Sequence, residues 1–289
     1  MAAQLIDGKA VSAATRAVLS EEIAAFRETT GVTPALAVVL VGSDPASAVY
    51  VRNKHKACLA VGIRSEEYTF PDTATEEELL SLVRKLNEDD NIHGILVQLP
   101  LPKQICEEHV LCAISPLKDV DAFHPENVGR IVAGKPRFLP CTPAGVTELL
   151  SYYKMPTDGK ECVIVGRSNI VGKPLFHLML GANATVTVCH SHTKNLAEIT
   201  RRADILVVAI GRARFIGAEM VKAGAVVVDV GINRLPDGKL CGDVDFDAVA
   251  EKASYITPVP GGVGVMTVTE LLKNTLTAAK IAVYGEGSV

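Results

Sequence analysis

The segment that decides the fold is residues 161–174, Glu161-Cys-Val-Ile-Val-Gly-Arg-Ser-Asn-Ile-Val-Gly-Lys-Pro174. After Glu161 the chain is apolar for four residues, which is typical of a strand buried on both faces of a parallel sheet. Gly166 and Gly172 then enclose a loop, and Lys173-Pro174 opens a helix. Strand, glycine loop and helix occur here in the order of the dinucleotide fingerprint, with the spacing G-x5-G in place of G-x-G-x-x-G.

This loop is suited to a dinucleotide, because glycine admits a pyrophosphate to the backbone and a helix N-terminus offers N–H donors. The next strand, predicted at residues 184–188, ends without the Asp or Glu that would accept from the ribose 2′-OH of NAD. Arg167 and Ser191 instead offer donors for a 2′-phosphate, which favours NADP. A tight turn without a ligand stays an alternative, and His190 and His192 are interpreted as surface polar residues.

Outward from this segment, apolar runs alternate with helical patterns along most of the chain. Downstream, strands are predicted at residues 204–209 and 225–230. Upstream, strands at residues 35–41, 66–70 and 94–97 alternate with helices at 9–28, 45–62, 76–87 and 104–113, before a loop-rich stretch at 115–142. The pattern predicts an α/β protein of two domains, a parallel-sheet α/β substrate domain and a Rossmann-like doubly wound domain. A last helix is predicted at residues 265–282.

The helix predicted at residues 45–62 carries a lysine on the face expected to be buried. Ser43 or Asp44 can cap its first turn, and Gly62 can end it. At 100° per residue, one mostly apolar arc contains Val49, Tyr50, Val51, Asn53, Lys54, Ala57, Cys58, Ala60 and Val61. Lys54 is either a lysine that covers apolar surface and keeps its ammonium in water, or a desolvated amine with a chemical task.

Three further segments carry groups suited to a ligand. Gln98 follows the buried run of residues 94–97, where nearby prolines stop strand pairing. Asp121 lies in a segment of little periodicity, where it is either a ligand group or a turn-capping carboxylate. Gly261 and Gly262 lie in a stretch rich in Pro and Gly that is equally consistent with a rigid clamp at a domain junction and with a plain hinge.

Composition narrows the class of partner. The chain has 289 residues, 48% of them hydrophobic, and 33 acidic against 29 basic residues give a net charge of −4. This balance argues against binding to nucleic acid or an anionic membrane, which leaves a small molecule. Seven cysteines without a C-x-x-C indicate neither a disulfide framework nor a metal site. The sequence shows no secretory pattern at its N-terminus and no apolar run of about 20 residues, so a cytoplasmic location is expected.

At six separated segments the sequence resembles the bifunctional methylenetetrahydrofolate dehydrogenase/cyclohydrolase family, the FolD-type enzymes. The segments are YVRNKHKACLAVGI (50–63), GILVQLPLP (94–102), KDVDAFHP (118–125), GRSNIVGKP (166–174), TVCHSHT (187–193) and ITPVPGGVGVMTV (256–268). They extend over nearly the whole chain, and together they are highly specific. Two positions depart from the family pattern: Ala122 stands where glycine is usual, and Val265 replaces the usual proline before Met266.

The resemblance implies a role for each candidate residue. Lys54 corresponds to the catalytic lysine, Gln98 to its partner, Tyr50 to the aromatic residue that packs on the folate, and Asp121 to the carboxylate that holds the pterin. Further implied contacts are Gly261 and Gly262 at the folate cleft, and Gly166, Arg167, Ser168, Ser191 and Ile232 at NADP.

The resemblance also implies the reactions and the organisation of the chain. The reactions are NADP-dependent oxidation of 5,10-methylenetetrahydrofolate to 5,10-methenyltetrahydrofolate and hydrolysis of that cation to 10-formyltetrahydrofolate, in one-carbon metabolism. The implied domains are a folate domain of residues 1–140, joined by a returning helix of residues 264–289, and an NADP domain of residues 141–263. The family is usually a homodimer.

The residues alone leave two other functions open. One is an NADP oxidoreductase of the same two-domain type that acts on a small carbonyl compound or an amino acid. The other is a non-catalytic NADP-binding module, in which the lysine and tyrosine of the predicted helix would be incidental.

Overall fold

The computed structural model describes residues 2–288, and the chain divides into two compact units. Unit 1 comprises Met1–Ala13 and Pro140–Thr267, and unit 2 comprises Ala14–Leu139 and Val268–Val289. Met1 and Val289, which the predicted domain bounds include, lie outside the described residues.

Strands and helices alternate along most of the chain. The strands are β1 (Gln4–Leu5), β2 (Ala35–Val41), β3 (Arg64–Phe70), β4 (Gly94–Val97), β5 (Glu161–Val165), β6 (Thr185–Cys189), β7 (Ile205–Val208), β8 (Val226–Asp229), β9 (Asn233–Arg234), β10 (Leu240–Cys241) and β11 (Tyr255–Ile256). The helices are α1 (Gly8–Thr30), α2 (Pro45–Val61), α3 (Glu76–Glu88), α4 (Glu107–Ala113), α5 (Pro125–Val132), α6 (Cys141–Tyr152), α7 (Gly172–Gly181), α8 (Leu196–Thr200), α9 (Phe246–Ala250) and α10 (Val263–Tyr284). Short 3₁₀ turns occur at Ala218–Met220 and Glu286–Ser288.

Unit 1 is built on a six-stranded parallel sheet in the order β1-β11-β8-β7-β5-β6. Two apolar clusters take alternate residues of its central strands: one contains Cys162 and Ile164, and the other contains Val163 and Val165. Each face of the sheet is therefore covered, which is why these strands read as continuous apolar runs. A separate antiparallel pair, β9 with β10, follows β8.

Unit 2 is built on a three-stranded parallel sheet in the order β3-β2-β4. All seven residues of β2, the central strand, are buried, whereas β3 at the edge alternates between exposed and half-buried residues. The predicted α/β class with two parallel sheets is thereby confirmed. No helix among residues 2–288 is both long enough and apolar enough to cross a membrane.

The structure differs from the sequence prediction at the short elements. β1 pairs in parallel with β11, and for this reason the N-terminal 13 residues group with the six-stranded sheet, whereas the predicted bounds place them with the folate domain. The loop-rich stretch predicted at residues 115–142 contains α5, which begins with a proline in its first turn and His124 as its N-cap.

Helix α2 begins and ends where its caps predict. The Asp44 carboxylate accepts a hydrogen bond from the Ser47 amide at 2.8 Å, and Gly62 ends the helix with φ of 90°. The apolar arc predicted for this helix is only half correct. Its buried members are Val51, Lys54, Ala57, Cys58 and Val61, and its exposed members are Val49, Tyr50, Asn53 and Ala60. Lys54 therefore lies within the buried stripe.

Candidate functional site

The Lys54 amine is held by Gln98 in the structure. Lys54 is 9% exposed, and its Nζ donates to Gln98 Oε1 at 3.0 Å. The Gln98 side chain donates from Nε2 to the Leu99 carbonyl at 2.7 Å, and its backbone amide donates to the Val39 carbonyl at the end of β2. Because Nε2 is engaged, Oε1 is the amide atom turned toward the lysine. The amine is therefore removed from bulk water and oriented.

Tyr50 lies one turn before Lys54 on α2 and is 40% exposed, so its ring has a surface free of core packing. Asp121 is half-buried, in the loop between α4 and α5. The fully buried carboxylate of this loop is Asp119, whose pKa is raised by desolvation although it accepts from Asn127 Nδ2 at 2.9 Å. The loop thus contains one structural carboxylate and one that is accessible.

The backbone conformation at Ala122, the residue after Asp121, is one that favours glycine. Ala122 is buried and has φ of 58°, in the left-handed region that favours glycine. A non-glycine residue in this conformation costs about 1 kcal/mol. Asn274 of α10 braces the same loop, since its Nδ2 donates to the carbonyls of Val120 and Leu139 at 2.8 Å each.

The turn after β5 requires both of its glycines. Gly166 has φ of 132°, and a Cβ there would overlap the carbonyl oxygen of Ala209 at the end of β7. A Cβ on Gly172 would overlap the carbonyl oxygen of Gly166. The backbone of the turn therefore folds tightly onto the carboxyl end of the sheet, which is the shape required for a dinucleotide to approach.

Ser168 alters how this turn can hold an anion. Its Oγ accepts from the amides of Val171 at 3.1 Å and Gly172 at 3.4 Å, at the start of α7. The sequence predicts free N–H donors at this helix start, and the hydroxyl of Ser168 already engages two of them. Its O–H remains a donor, so an anion can be bound through the serine as well as through the backbone.

The remaining predicted cofactor residues lie along the same edge of unit 1. The Gly166 amide donates to the Cys189 carbonyl at 2.9 Å, which joins the Gly166 turn to the turn that carries Ser191. Arg167 and Ser191 are both exposed, and Ile232, just after β8, is 45% exposed. Exposed donors beside a tight backbone turn are consistent with a phosphate ligand.

Gly261 and Gly262 form a close contact with the start of α1. Gly261 has φ of 109°, and a Cβ on Gly8 would overlap the carbonyl oxygen of Gly262. A Cβ on Gly262 itself would lie 2.6 Å from the Pro258 carbonyl oxygen. This stretch is packed without room for side chains, which favours the rigid interpretation over a plain hinge.

Two buried carboxylates of unit 1, near the predicted cofactor residues, are absent from the sequence prediction. Asp243 is fully buried and Asp229 is 3% exposed. Asp229 accepts from the amides of Gly231, Asp243 and Val244 at 2.8 to 3.0 Å. The signal available in the sequence is glycine beside aspartate in DVGIN and GDVD: a Cβ on Gly242 would overlap the Asp229 carboxylate, and one on Gly231 would overlap that of Asp243.

The buried Asp229 carboxyl makes the free energy of unfolding depend on pH. Desolvation, with a smaller effect from the Asp243 charge, raises its pKa from 3.8 to about 6 against the opposing effect of its N–H partners. The folded state therefore holds this proton more tightly than the unfolded state. Its stabilising contribution is complete below the unfolded pKa and is lost as pH rises through about 6.

We expect the free energy of urea unfolding of the wild type, relative to Asp229→Asn, to fall by about 1 kcal/mol between pH 5 and pH 7. Paired urea titrations of the two proteins at half-unit pH steps provide the measurement. A difference between them that stays constant across this range would contradict the raised pKa.

Comparison with known proteins finds family models that match two parts of the chain. Residues 6–121 match the family model described as tetrahydrofolate dehydrogenase/cyclohydrolase, catalytic domain, and residues 140–283 match the one described as tetrahydrofolate dehydrogenase/cyclohydrolase, NAD(P)-binding domain. A curated relative from Halalkalibacterium halodurans, named Bifunctional protein FolD, is 61% identical over 280 residues, which is 97% of this chain and 100% of the relative.

Solved structures agree over a similar length. The FolD methylenetetrahydrofolate dehydrogenase/cyclohydrolase of Campylobacter jejuni is 52% identical with a TM-score of 0.94, and the match covers 96% of this chain and 99% of that one. The FolD of Trypanosoma brucei, solved with NADP cofactor and inhibitor, is 41% identical with a TM-score of 0.94 over 98% and 99% of the two chains. The chain belongs to the tetrahydrofolate dehydrogenase/cyclohydrolase family.

Proposed function

We infer that the protein is a bifunctional enzyme with two consecutive activities on one folate. It oxidises 5,10-methylenetetrahydrofolate to 5,10-methenyltetrahydrofolate with NADP, and it hydrolyses the methenyl compound to 10-formyltetrahydrofolate. The observation that carries this inference is the buried Lys54 amine, 3.0 Å from Gln98, in a chain of this family.

The hydrolysis requires a group that moves protons, and Lys54 is our candidate. Water that attacks the methenyl carbon must lose a proton, and ring opening must return one to nitrogen. Lys54 is 9% exposed, so its amine meets protein groups and a bound substrate more than bulk water. The hydrogen bond to Gln98 Oε1 uses one N–H of the amine and fixes the direction in which the rest of the group points.

Tyr50 and Asp121 are proposed to orient the folate. A flat pterin ring can stack on the half-exposed ring of Tyr50, one helical turn from the lysine. The Asp121 carboxylate can accept hydrogen bonds from the amino group and ring N–H of a pterin. We propose that Gly261 and Gly262, whose lack of side chains lets this buried stretch pack closely, also border the folate.

The residues after β5 and β6 fit NADP. The Gly166 turn is our proposed pyrophosphate cradle: it packs so tightly that a Cβ on Gly166 or Gly172 would overlap a backbone carbonyl, and Ser168 keeps an O–H available as a donor beside it. We propose that Arg167 and Ser191 bind the 2′-phosphate and that Ile232 contacts the nicotinamide half. When bound, NADP accepts the hydride that leaves the bridging carbon of the folate. The protein's part in that step is to hold the reactants in place and to exclude water.

These assignments associate each of the two units with one ligand. Tyr50, Lys54, Gln98 and Asp121 lie in unit 2, which we propose as the folate domain, and the Gly166 turn lies in unit 1, which we propose as the NADP domain. From the resemblance to the family we further propose that the enzyme acts as a homodimer in the cytoplasm.

A single assay tests the proposed function. Protein, NADP and 5,10-methylenetetrahydrofolate are mixed, and both NADPH and the methenyl chromophore are followed by absorbance. We expect NADPH to form while the methenyl signal stays low, because hydrolysis removes the intermediate. Activity with small carbonyl compounds or amino acids and none with folate would support the other oxidoreductase. Silence with NADP and with NAD on all substrates would support a non-catalytic module.

Arg167 is expected to determine the preference for NADP. Replacing it by glutamine removes a charged partner of the 2′-phosphate, so we expect the KM for NADP to rise about 10- to 100-fold and the KM for NAD to stay within about twofold. Arg202→Gln, an exposed arginine of the same unit, is the control for the lost positive charge. An equal rise in both KM values would show that Arg167 does not contact the 2′-phosphate.

A further inference from the structure

The backbone after β7 forms a concave row of donors that encloses an internal carboxylate. The amides of Ile210, Gly211 and Arg212 all donate to the Asp243 side chain, at 2.7, 3.0 and 2.7 Å. Successive amides that converge in this way usually form an anion-binding site in a protein. Here the anion belongs to the chain itself, so the function of the row is to fix the course of the backbone.

The same carboxylate reaches the segment after β8. Asn233 Nδ2 donates to Asp243 Oδ1 at 2.8 Å, and Gly231 passes so close that a Cβ there would overlap the carboxyl group. Ile232, the proposed contact of NADP, lies between these two residues in sequence. One buried side chain therefore ties together the backbone that follows two adjacent strands of the sheet.

Asp229 in turn fixes Asp243. Asp229 Oδ1 accepts from the Asp243 amide at 3.0 Å and from the Gly231 amide at 3.0 Å, and Oδ2 accepts from the Val244 amide at 2.8 Å. In the described part of the chain, the four hydrogen bonds of the Asp243 side chain all come from N–H donors. Both oxygens of this side chain therefore act as acceptors, with two donors on each.

The segment held by Asp243, residues 210–212, directly follows a residue that packs against the Gly166 turn. The carbonyl of Ala209, one residue before the row of amides, is the group that leaves no room for a Cβ on Gly166. A shift of the segment after β7 would therefore be transmitted to the proposed pyrophosphate cradle. The Arg212 side chain points elsewhere, since its guanidinium carbon lies 4.1 Å from the centre of the Phe215 ring.

We propose that Asp243 is a positioning residue of the NADP site: by binding residues 210–212 and Asn233 together, it holds Ile232 and the Gly166 turn in the geometry that receives the dinucleotide. The proposal rests on the proposed function of unit 1 and adds a residue that does not touch the cofactor. Asp243 is fully buried, so its effect on the cofactor is exerted through the residues that it binds.

The test is Asp243→Asn, which keeps the shape of the side chain and replaces one acceptor oxygen by an NH2 group. Two of the four N–H groups then face the NH2 group, which cannot accept, and their hydrogen bonds are lost. We expect the Kd for NADPH, measured by its fluorescence in the absence of folate, to rise about tenfold. Hydrogen exchange at the amides of residues 210–212 is expected to accelerate. Hydrolysis of 5,10-methenyltetrahydrofolate, which uses no NADP, is expected to stay within about twofold.

Asp247→Asn, an exposed position on α9, is the matched control and is expected to change none of the three readouts. Unchanged NADPH affinity despite faster exchange would overturn the proposal, and so would an equal loss of hydrolysis, which would show a general loss of structure. If Asp243→Asn does not fold, Asn233→Ala removes one donor only, and a Kd unchanged in that variant would overturn the proposal. NADPH binding by the wild type without turnover of folate would refute the proposed reaction and leave this test valid.

Discussion

Lys54→Met is expected to lose hydrolysis of 5,10-methenyltetrahydrofolate by a factor of about 10² to 10⁴, the usual contribution of a positioned proton-transfer group. Methionine fills the volume of the lysine stem, so the buried stripe of α2 keeps its packing. Gln98 Oε1 loses its partner in this variant, but its Nε2 remains bound to the Leu99 carbonyl. The affinity for NADPH is expected to be unchanged.

The measurement follows the decay of the methenyl chromophore, with circular dichroism as the check of folding. Lys56→Met provides the control, because Lys56 is on the same helix but exposed, and it is expected to hydrolyse at the wild-type rate. Hydrolysis by Lys54→Met at a normal rate would assign the lysine to packing alone.

Gly166→Ala is expected to weaken NADPH binding about 100-fold and to lower dehydrogenase activity with it. The new methyl group meets the Ala209 carbonyl, and φ of 132° is unfavourable for alanine. Backbone strain of this kind costs about 1–3 kcal/mol before any overlap is counted. The turn must therefore open, and its hydrogen bond to the Cys189 carbonyl is disturbed.

Fluorescence titration of NADPH measures this effect. Gly181→Ala, at the end of α7, is the control, because a Cβ there has no neighbour within 4 Å. NADPH affinity equal to that of the wild type in Gly166→Ala would show that the turn does not form the cradle.

Elements with a strong local signal were predictable from the sequence. β2, β4 and β5 lie where their apolar runs place them, since a strand buried on both faces excludes polar residues throughout. Helix α2 was predictable from Asp44 and Gly62, because a cap is a requirement of only one or two residues.

Elements stabilised by distant partners were not predictable. β1 and β11 have two residues each, too few to show an alternation, and they exist because they pair with each other and with β8. Two-residue β9 and β10 are of the same kind. Helix α5 lies in the stretch that was predicted as loop-rich, and its proline occupies the first turn, where proline is tolerated.

The candidate site likewise contains features that the sequence predicts and features that it does not. Periodicity alone placed Lys54 on the buried side of α2. Its hydrogen bond to Gln98 depends on how α2 packs against β2 and β3, which no local pattern encodes. Ser168 was predictable as a member of the turn, but not as an acceptor for the amides of α7. Asp229 and Asp243 were not predicted because the sequence alone does not distinguish a buried aspartate from an exposed one.

The brace formed by Asn274 couples two distant parts of the gene. Its amide group satisfies the Val120 carbonyl across 154 positions of sequence, directly beside the residue proposed to hold the pterin. The loop that carries Asp121 therefore depends on a side chain of the last helix. A substitution at position 274 is expected to disturb the proposed pterin contact without touching the folate.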